Sequence, residues 1–323
     1  MSERPLATEA APPLLVIAGP TATGKTGLAI DVARTLRVEG IPAEIISADS
    51  RQVFRGLDIG TAKVTLADRQ AVPHHGLDLV EPDEPFSVAD FAAHVATVLP
   101  PIAAAGGLAI LVGGTGFYLR AIARGLDTDA LPFDPDIRRR IEADLATSSV
   151  TVSAERLVAL APRLAGSVDL RNPRRVARAL EIAEIVGDQP RPPARGYGAP
   201  VAWLGLDVPD DLHRGWIAGR ARAQFDVGLV DEAAVLRGRF DPLLPAFTAI
   251  GYAEAWALLD GEIDRETAIE RDVARNIAFA KRQRTWFRRE RGIDWTNAAS
   301  AGVVARAHDV ARRLMESHPP SMA

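Results

Sequence analysis

Leu14-Leu15-Val16-Ile17-Ala18-Gly19-Pro20-Thr21-Ala22-Thr23-Gly24-Lys25-Thr26 joins a short apolar run to a glycine-bounded turn. Its last eight residues fit G-x-x-x-x-G-K-[ST], the phosphate-binding loop (P-loop) pattern. The apolar run reads as a buried strand. Residues 28–36 follow, apolar on one helical face. In that setting the amides of the turn and of the helix N-terminus point at an anion, and the helix dipole adds to their pull. A glycine turn that binds nothing is the plainer alternative. Strand, turn and helix together favour a di- or triphosphate.

The alternation continues outward from this stretch. Residues 43–48 and 108–112 read as strands, and 25–37 and 88–100 as helices. This predicts a parallel sheet with helices on both faces, its ligands beyond the carboxyl ends of the strands. Asp49-Ser50 and Gly113-Gly114-Thr115-Gly116 then share an edge with the P-loop. From residue 127 to about 200 the strand signal disappears, and 136–147, 154–160 and Pro173–Val186 read as helices. Residues 201–206 resume a strand, followed by helices at 210–227, 231–239, 250–259 and 265–289. The expected fold is α/β, a P-loop parallel-sheet core flanked by helices. The core begins at 13–126 and is completed by a mostly helical, arginine-rich 201–316, with an all-helical insertion domain at 127–200.

Composition narrows the function classes. A length of 323 residues with 47% hydrophobic content supports a substantial core, and a net charge of −4 excludes a uniformly basic coat. Without cysteine there are no disulfides and no thiolate metal sites. Apolar runs fall far short of the ~18 residues of a membrane span, and no leader pattern opens the chain, so a cytoplasmic protein is expected. Only three of the 38 basic residues are lysines, Lys25, Lys63 and Lys281, which hints at a need for a compact ammonium at each. Arginines cluster at 138–140, at 171–178 and at 271–291, the last interleaved with Phe279, Trp286 and Phe287. Such clusters suit phosphates and unpaired bases, although a charge run is more often a solvated helix face. His74-His75 reads as part of a loop whose histidines bond locally, because no third ligand stands at metal spacing.

The carboxylate pattern separates types of phosphate chemistry. P-loop hydrolases place an acid after an apolar strand, but residues 108–112 run into Gly113-Gly114-Thr115. The acid present is Asp49, after the second strand. It suits a transferase whose carboxylate faces an acceptor beside the phosphates. A helix cap or turn former explains it equally well on spacing alone.

Longer segments carry a resemblance. Ile46-Ser47-Ala48-Asp49-Ser50-Arg51-Gln52-Val53-Phe54, Asp58-Ile59-Gly60-Thr61-Ala62-Lys63, Val72-Pro73-His74-His75 and Val112-Gly113-Gly114-Thr115-Gly116-Phe117-Tyr118 follow the P-loop in order. Asn172-Pro173-Arg174-Arg175-Val176-Ala177-Arg178-Ala179-Leu180-Glu181, Ala249-Ile250-Gly251-Tyr252 and Ala280-Lys281-Arg282-Gln283-Arg284-Thr285-Trp286-Phe287-Arg288 continue the pattern. Over roughly residues 13–296 the chain resembles the bacterial tRNA dimethylallyltransferase family, and all three lysines fall inside its motifs.

The resemblance implies transfer of a dimethylallyl group from dimethylallyl diphosphate to the adenosine 3′ to the anticodon, in tRNAs reading codons that begin with U. It implies Asp49 as general base, Thr115 orienting amine and donor, and Lys25 with magnesium near Thr26 stabilising the leaving diphosphate. That diphosphate would lie on Gly19, Pro20, Thr21, Ala22, Thr23, Gly24, Lys25 and Thr26, with Arg220 beside it. The anticodon stem-loop would meet Asp49, Ser50, Arg51, Gln52, Thr115, Arg138, Arg174, Arg175, Val176, Ala177 and Arg178. A monomer is expected. Four places depart from the family pattern: Phe54 for Tyr, Trp216 for Arg, Gln224 for Met, and Asn276-Ile277 for Thr-Arg. A P-loop kinase acting on a small molecule or nucleoside is the competing reading, but it leaves the arginine clusters and the helical insertion without a role.

Overall fold

A computed structural model describes residues 11–126, 132–189 and 193–318. Its strands are β1 (Leu14–Ala18), β2 (Ala43–Ser47), β3 (His74–His75), β4 (Leu108–Gly113), β5 (Val201–Asp207) and β6 (Ile293–Asn297). They form one parallel sheet in the order β3-β2-β4-β1-β5-β6. The helices run α1 (Lys25–Val38), α2 (Leu66–Ala71), α3 (Val88–Ala104), α4 (Gly116–Ala123), α5 (Pro135–Thr147), α6 (Val150–Leu160) and α7 (Pro162–Ala165). They continue as α8 (Pro173–Val186), α9 (Asp210–Asp226), α10 (Leu229–Arg237), α11 (Tyr252–Leu259), α12 (Arg265–Phe287) and α13 (Val303–Glu316).

Strand side chains alternate between faces, so each strand feeds two cores. Leu15, Ile17, Ile45, Ile110 and Leu204 pack with α1 and α13 on one face. Leu14, Val16, Ile46, Leu111 and Trp203 pack with α3 and α4 on the other. Burial on both faces makes the inner strands read as unbroken apolar runs. Two strands carry no such signal. β3 has only two residues, so His74-His75 is a strand and not the loop expected. β6 is a half-exposed edge that, among the described residues, pairs with β5 alone. The small residues Ala307 and Ala311 of α13, which lies past the expected helices, are fully buried.

A third core joins Val53, Phe54 and Leu57 to α9, α10, α11 and α12. Phe54 is buried there, where a tyrosine hydroxyl would need a partner. Close backbone approach fixes Gly113, because a Cβ there would stand 2.1 Å from the Ala48 carbonyl oxygen.

The chain divides into two compact units, one ending at Gly125 and resuming at Gly196, the other Leu126–Arg195. The second unit has its own core of Ile141, Leu157, Leu164, Val176 and Leu180.

Candidate active site

Beyond the carboxyl ends of β1, β2 and β4 lies a cavity of about 230 Å³. Its wall brings together Thr21, Ala22, Gly24, Lys25 and Thr26 of the P-loop, Asp49 and Gln52 after β2, and Gly113-Gly114 after β4. Arg220 of α9 and Phe279 and Gln283 of α12 complete it, beside Thr61 and Ala62. The amides of Gly24, Lys25, Thr26 and Gly27 open α1, and the first intrahelical bond runs from the Leu28 amide to the Gly24 carbonyl. Those four amides therefore have no intrahelical acceptor. Gly19, Pro20 and Thr23 shape the loop from behind, with the Thr23 hydroxyl donating to the Pro20 carbonyl at 2.9 Å.

Charge in the cavity is concentrated and poorly hydrated. The Lys25 ammonium donates to the Pro20 carbonyl at 2.6 Å. Burial, with Arg220 nearby, brings its pKa down to about 7, and Asp49 opposes the shift. Arg220 donates to the Thr21 hydroxyl at 2.7 Å and to Asn276 Oδ1 at 2.8 Å, while its buried Nε has no partner among the described residues. Asn276 in turn donates to Asp272 Oδ1 at 2.7 Å. Burial raises that carboxyl to about 6.

Asp49 is a turn former that also lines the cavity. Its Oδ1 accepts the Arg51 amide at 2.8 Å. Thr115 stands just outside the lining, at the head of α4, where its Oγ1 accepts the Ser50 amide at 3.1 Å. Gln52 is an internal brace, accepting the Ser47 hydroxyl at 2.8 Å and donating to the Thr61 carbonyl at 2.9 Å. Arg51 reaches the Pro245 carbonyl at 2.9 Å. Gln224 donates to the Ile59 and Gly60 carbonyls at 2.5 and 3.0 Å, which steadies the same turn. Two of the family departures, Gln224 and Asn276, thus belong to the frame of the cavity; nothing in the structure accounts for Trp216 or Ile277.

Lys63 fits the expectation of a compact ammonium, and Lys281 does not. The buried Lys63 ammonium gathers the Phe54 carbonyl at 2.6 Å, Asp58 at 2.8 Å and Asp78 at 2.5 Å, a compact geometry that a planar fork does not match. Lys281 is exposed on α12. The aromatics of that helix turn inward: Phe287 is in the core, Phe279 lines the cavity, and Trp286 lies under Arg120 at 4.6 Å.

Within Leu126–Arg195, the arginines divide. Arg138 and Arg178 each pair with the fully buried Glu181 at 2.7 Å. Arg174 and Arg175 are exposed and have no ion-pair partner among the described residues. Val176 and Ala177, expected among the RNA contacts, are corrected by burial: the helical period of α8 turns them into the core, away from Arg174 and Arg175.

Residues that the sequence reading missed converge on Thr21. His213 of α9 meets its carbonyl at 2.8 Å, and Gln283 of α12 accepts its amide at 2.8 Å. A signal was present. His213, Arg220 and Gln224 fall on one face of α9, and Asp272, Asn276 and Gln283 recur along α12, as polar residues where the period calls for apolar ones.

Known proteins resemble this chain over most of its length. A tRNA dimethylallyltransferase of Anaeromyxobacter sp. (strain K) is 44% identical over 320 residues, covering 96% of this chain and 99% of that relative. One from Thermus thermophilus is 41% identical, covering 86% and 90%. The crystal structure of a tRNA isopentenylpyrophosphate transferase from Bacillus halodurans superposes with a TM-score of 0.68 at 34% identity, covering 94% of this chain and 97% of that one. A eukaryotic dimethylallyltransferase acting on tRNA gives 0.76 at 22% identity, covering 97% and 81%, a likeness of fold alone. Residues 52–290 match the IPP transferase family model, and together with these relatives this shows that the chain belongs to the IPP transferase family.

Proposed function

We propose that the protein transfers the dimethylallyl group of dimethylallyl diphosphate to the exocyclic amine of the adenosine 3′-adjacent to the anticodon, in tRNAs reading codons that begin with U. One observation carries this reading. Asp49 shares a single cavity with Lys25, Arg220 and the open amides of α1, whereas β4 ends in Gly113-Gly114 without an acid. A cationic cradle beside a carboxylate suits departure of a diphosphate and deprotonation of an incoming nucleophile. It does not suit the metal-held triphosphate of a hydrolase.

The amine nitrogen bonds to the first carbon of the prenyl group as that carbon's bond to oxygen breaks. The diphosphate leaves with the electron pair, and the amine proton passes to Asp49. Each well-placed donor to the developing charge is worth roughly 100- to 1,000-fold, and the general base roughly 100- to 10,000-fold. In this reading Thr115, whose Oγ1 accepts the Ser50 amide, orients the amine. The base must unstack to enter, which costs least in a single-stranded loop. In this reading Ser50 and Arg51, which follow Asp49 in the chain, meet the RNA around the target base, and Arg174 and Arg175 offer phosphate contacts from the helical unit. Among the described residues no cluster of three or more acidic or histidine side chains could hold a metal alone. Thr26 supplies a hydroxyl oxygen of the kind magnesium takes when the diphosphate provides the rest, which leaves Asp49 free for the proton. Bound there, the ion would neutralise charge on the leaving group.

No helix among the described residues is long and apolar enough to cross a membrane. The reading has the protein act as a cytoplasmic monomer. Incubation with unmodified tRNA and either dimethylallyl diphosphate or ATP tests it. Prenylated adenosine in the anticodon loop is expected by mass spectrometry. A phosphorylated product without prenylation would establish the kinase reading instead.

A further inference from the structure

Thr21 is held at every polar atom by side chains from outside the P-loop. Its amide donates to Gln283 Oε1 at 2.8 Å, its hydroxyl accepts from Arg220 at 2.7 Å, and its carbonyl faces His213 Nε2 at 2.8 Å. A carbonyl only accepts, so the histidine carries its hydrogen on Nε2. His213 is buried, and burial chiefly lowers its pKa, which keeps the ring neutral near pH 7. Gln283 has a second attachment, donating to the Gly114 carbonyl at 3.0 Å, so it ties the P-loop to the turn that leads into Thr115. Glycine at 114 permits this, because a Cβ there would stand 2.3 Å from the Gln283 amide nitrogen.

The neighbouring residue shows what the clamp holds in place. Ala22 has φ of 59°, a left-handed conformation that costs a non-glycine residue energy and persists only where the surroundings enforce it. Ala22 lines the cavity and leads directly into the open amides of α1. Released at Thr21, the chain would relax at Ala22 and turn those amides off the anion site.

We propose that His213 and Gln283 are positioning residues, fixing Thr21 so that Ala22 stays left-handed and the loop is preformed for a diphosphate. The inference rests on the diphosphate reading of the P-loop. His213 lies outside the cavity lining and acts through Thr21; Gln283 lines the cavity, and its bonds to the Thr21 amide and the Gly114 carbonyl hold the two turns together. A preformed anion site binds more tightly because its ordering cost is met on folding. Loss of either contact should therefore weaken the donor and leave tRNA affinity alone.

The test is calorimetric binding of dimethylallyl diphosphate to the full chain without tRNA, alongside steady-state kinetics. His213→Leu and Gln283→Leu should each weaken binding and raise the donor KM roughly 10- to 100-fold, with tRNA Kd within about twofold. His213→Gln, which keeps an N–H donor, should recover most of the loss. Adding Ala22→Gly to either leucine variant should restore part of the affinity, since glycine adopts the left-handed conformation without enforcement. Melting temperatures measured alongside separate this from a general gain of stability, which would raise the melting point without changing the donor affinity of the folded protein. Should a leucine variant fail to fold, His213→Asn and Gln283→Asn, too short to span the gap, make the same comparison. Unchanged donor affinity in the variants overturns the clamp. An unaltered protein that binds no dimethylallyl diphosphate overturns the diphosphate reading, and the clamp with it.

Discussion

Donor binding should take up a proton. In the empty cavity, burial and the proximity of Arg220 bring Lys25 down to about 7, so at pH 8 only roughly one molecule in ten carries the ammonium. A bound diphosphate favours the charged form and returns the group toward its ordinary range. Uptake per ligand is then ~0.5 proton at pH 7, ~0.9 at pH 8 and close to one at pH 9. The ligand binds the protonated form, so affinity is best toward pH 7. It weakens ~10-fold, or ~1.4 kcal/mol, for each pH unit above about 8. Titration of dimethylallyl diphosphate into the protein without tRNA, in buffers of differing ionisation enthalpy, reads the uptake directly. Lys25→Met should abolish both the uptake and the pH dependence. Stability follows from the same shift. The unfolded lysine, at 10.5, binds more protons than the folded one between about pH 7 and 10.5, so the empty protein gains stability as pH rises through that window. Lys25→Met removes the cost of burying the ammonium and should therefore raise the melting temperature at pH 7 while turnover is lost. Binding without proton uptake at pH 8 would refute the account of Lys25 as a discharged ammonium waiting for its anion.

Asp49→Asn keeps an oxygen for the Arg51 amide but cannot accept a proton, so kcat should fall ~100-fold or more with tRNA affinity within a few-fold; a near-normal rate would leave Asp49 only its turn. Gly113→Ala sets a methyl 2.1 Å from the Ala48 carbonyl oxygen, and thermal denaturation should show a loss of ~3 kcal/mol together with reduced activity, because Asp49 follows that carbonyl. Replacing Arg174 and Arg175 together by Ala should weaken tRNA binding and lower the slope of log Kd against log salt by ~1 to 2. Identical slopes would mean that neither side chain meets a phosphate.

Much of the fold was legible because its signals are local. Leu14–Ala18 and Leu108–Gly113 are buried on both faces and must be apolar throughout, and the P-loop pattern requires the helix that follows. β3 and β6 were illegible for the opposite reason, since two residues and a half-exposed edge bury too little to leave a pattern. The buried lysine at 63 was flagged by its rarity, but its partners Asp58 and Asp78 were not, because the pairing depends on how the chain folds back.

What the sequence determined alone is the chemistry on offer: an anion-binding turn after β1, a carboxylate after β2, and arginines in excess of what a net acidic chain needs for solubility. Those properties reside in single residues and short spacings, and the local chain enforces them. Tertiary structure decided which groups are available to act. It placed Asp49, Lys25 and Arg220 around one cavity, drew the Lys25 pKa down by burial, and committed Arg138 and Arg178 to Glu181 while leaving Arg174 and Arg175 exposed. It also brought His213 and Gln283, some 190 to 260 residues along the chain from Thr21, to its backbone. Desolvation and long-range hydrogen bonds depend on what packs nearby, and no stretch of sequence encodes its own neighbours.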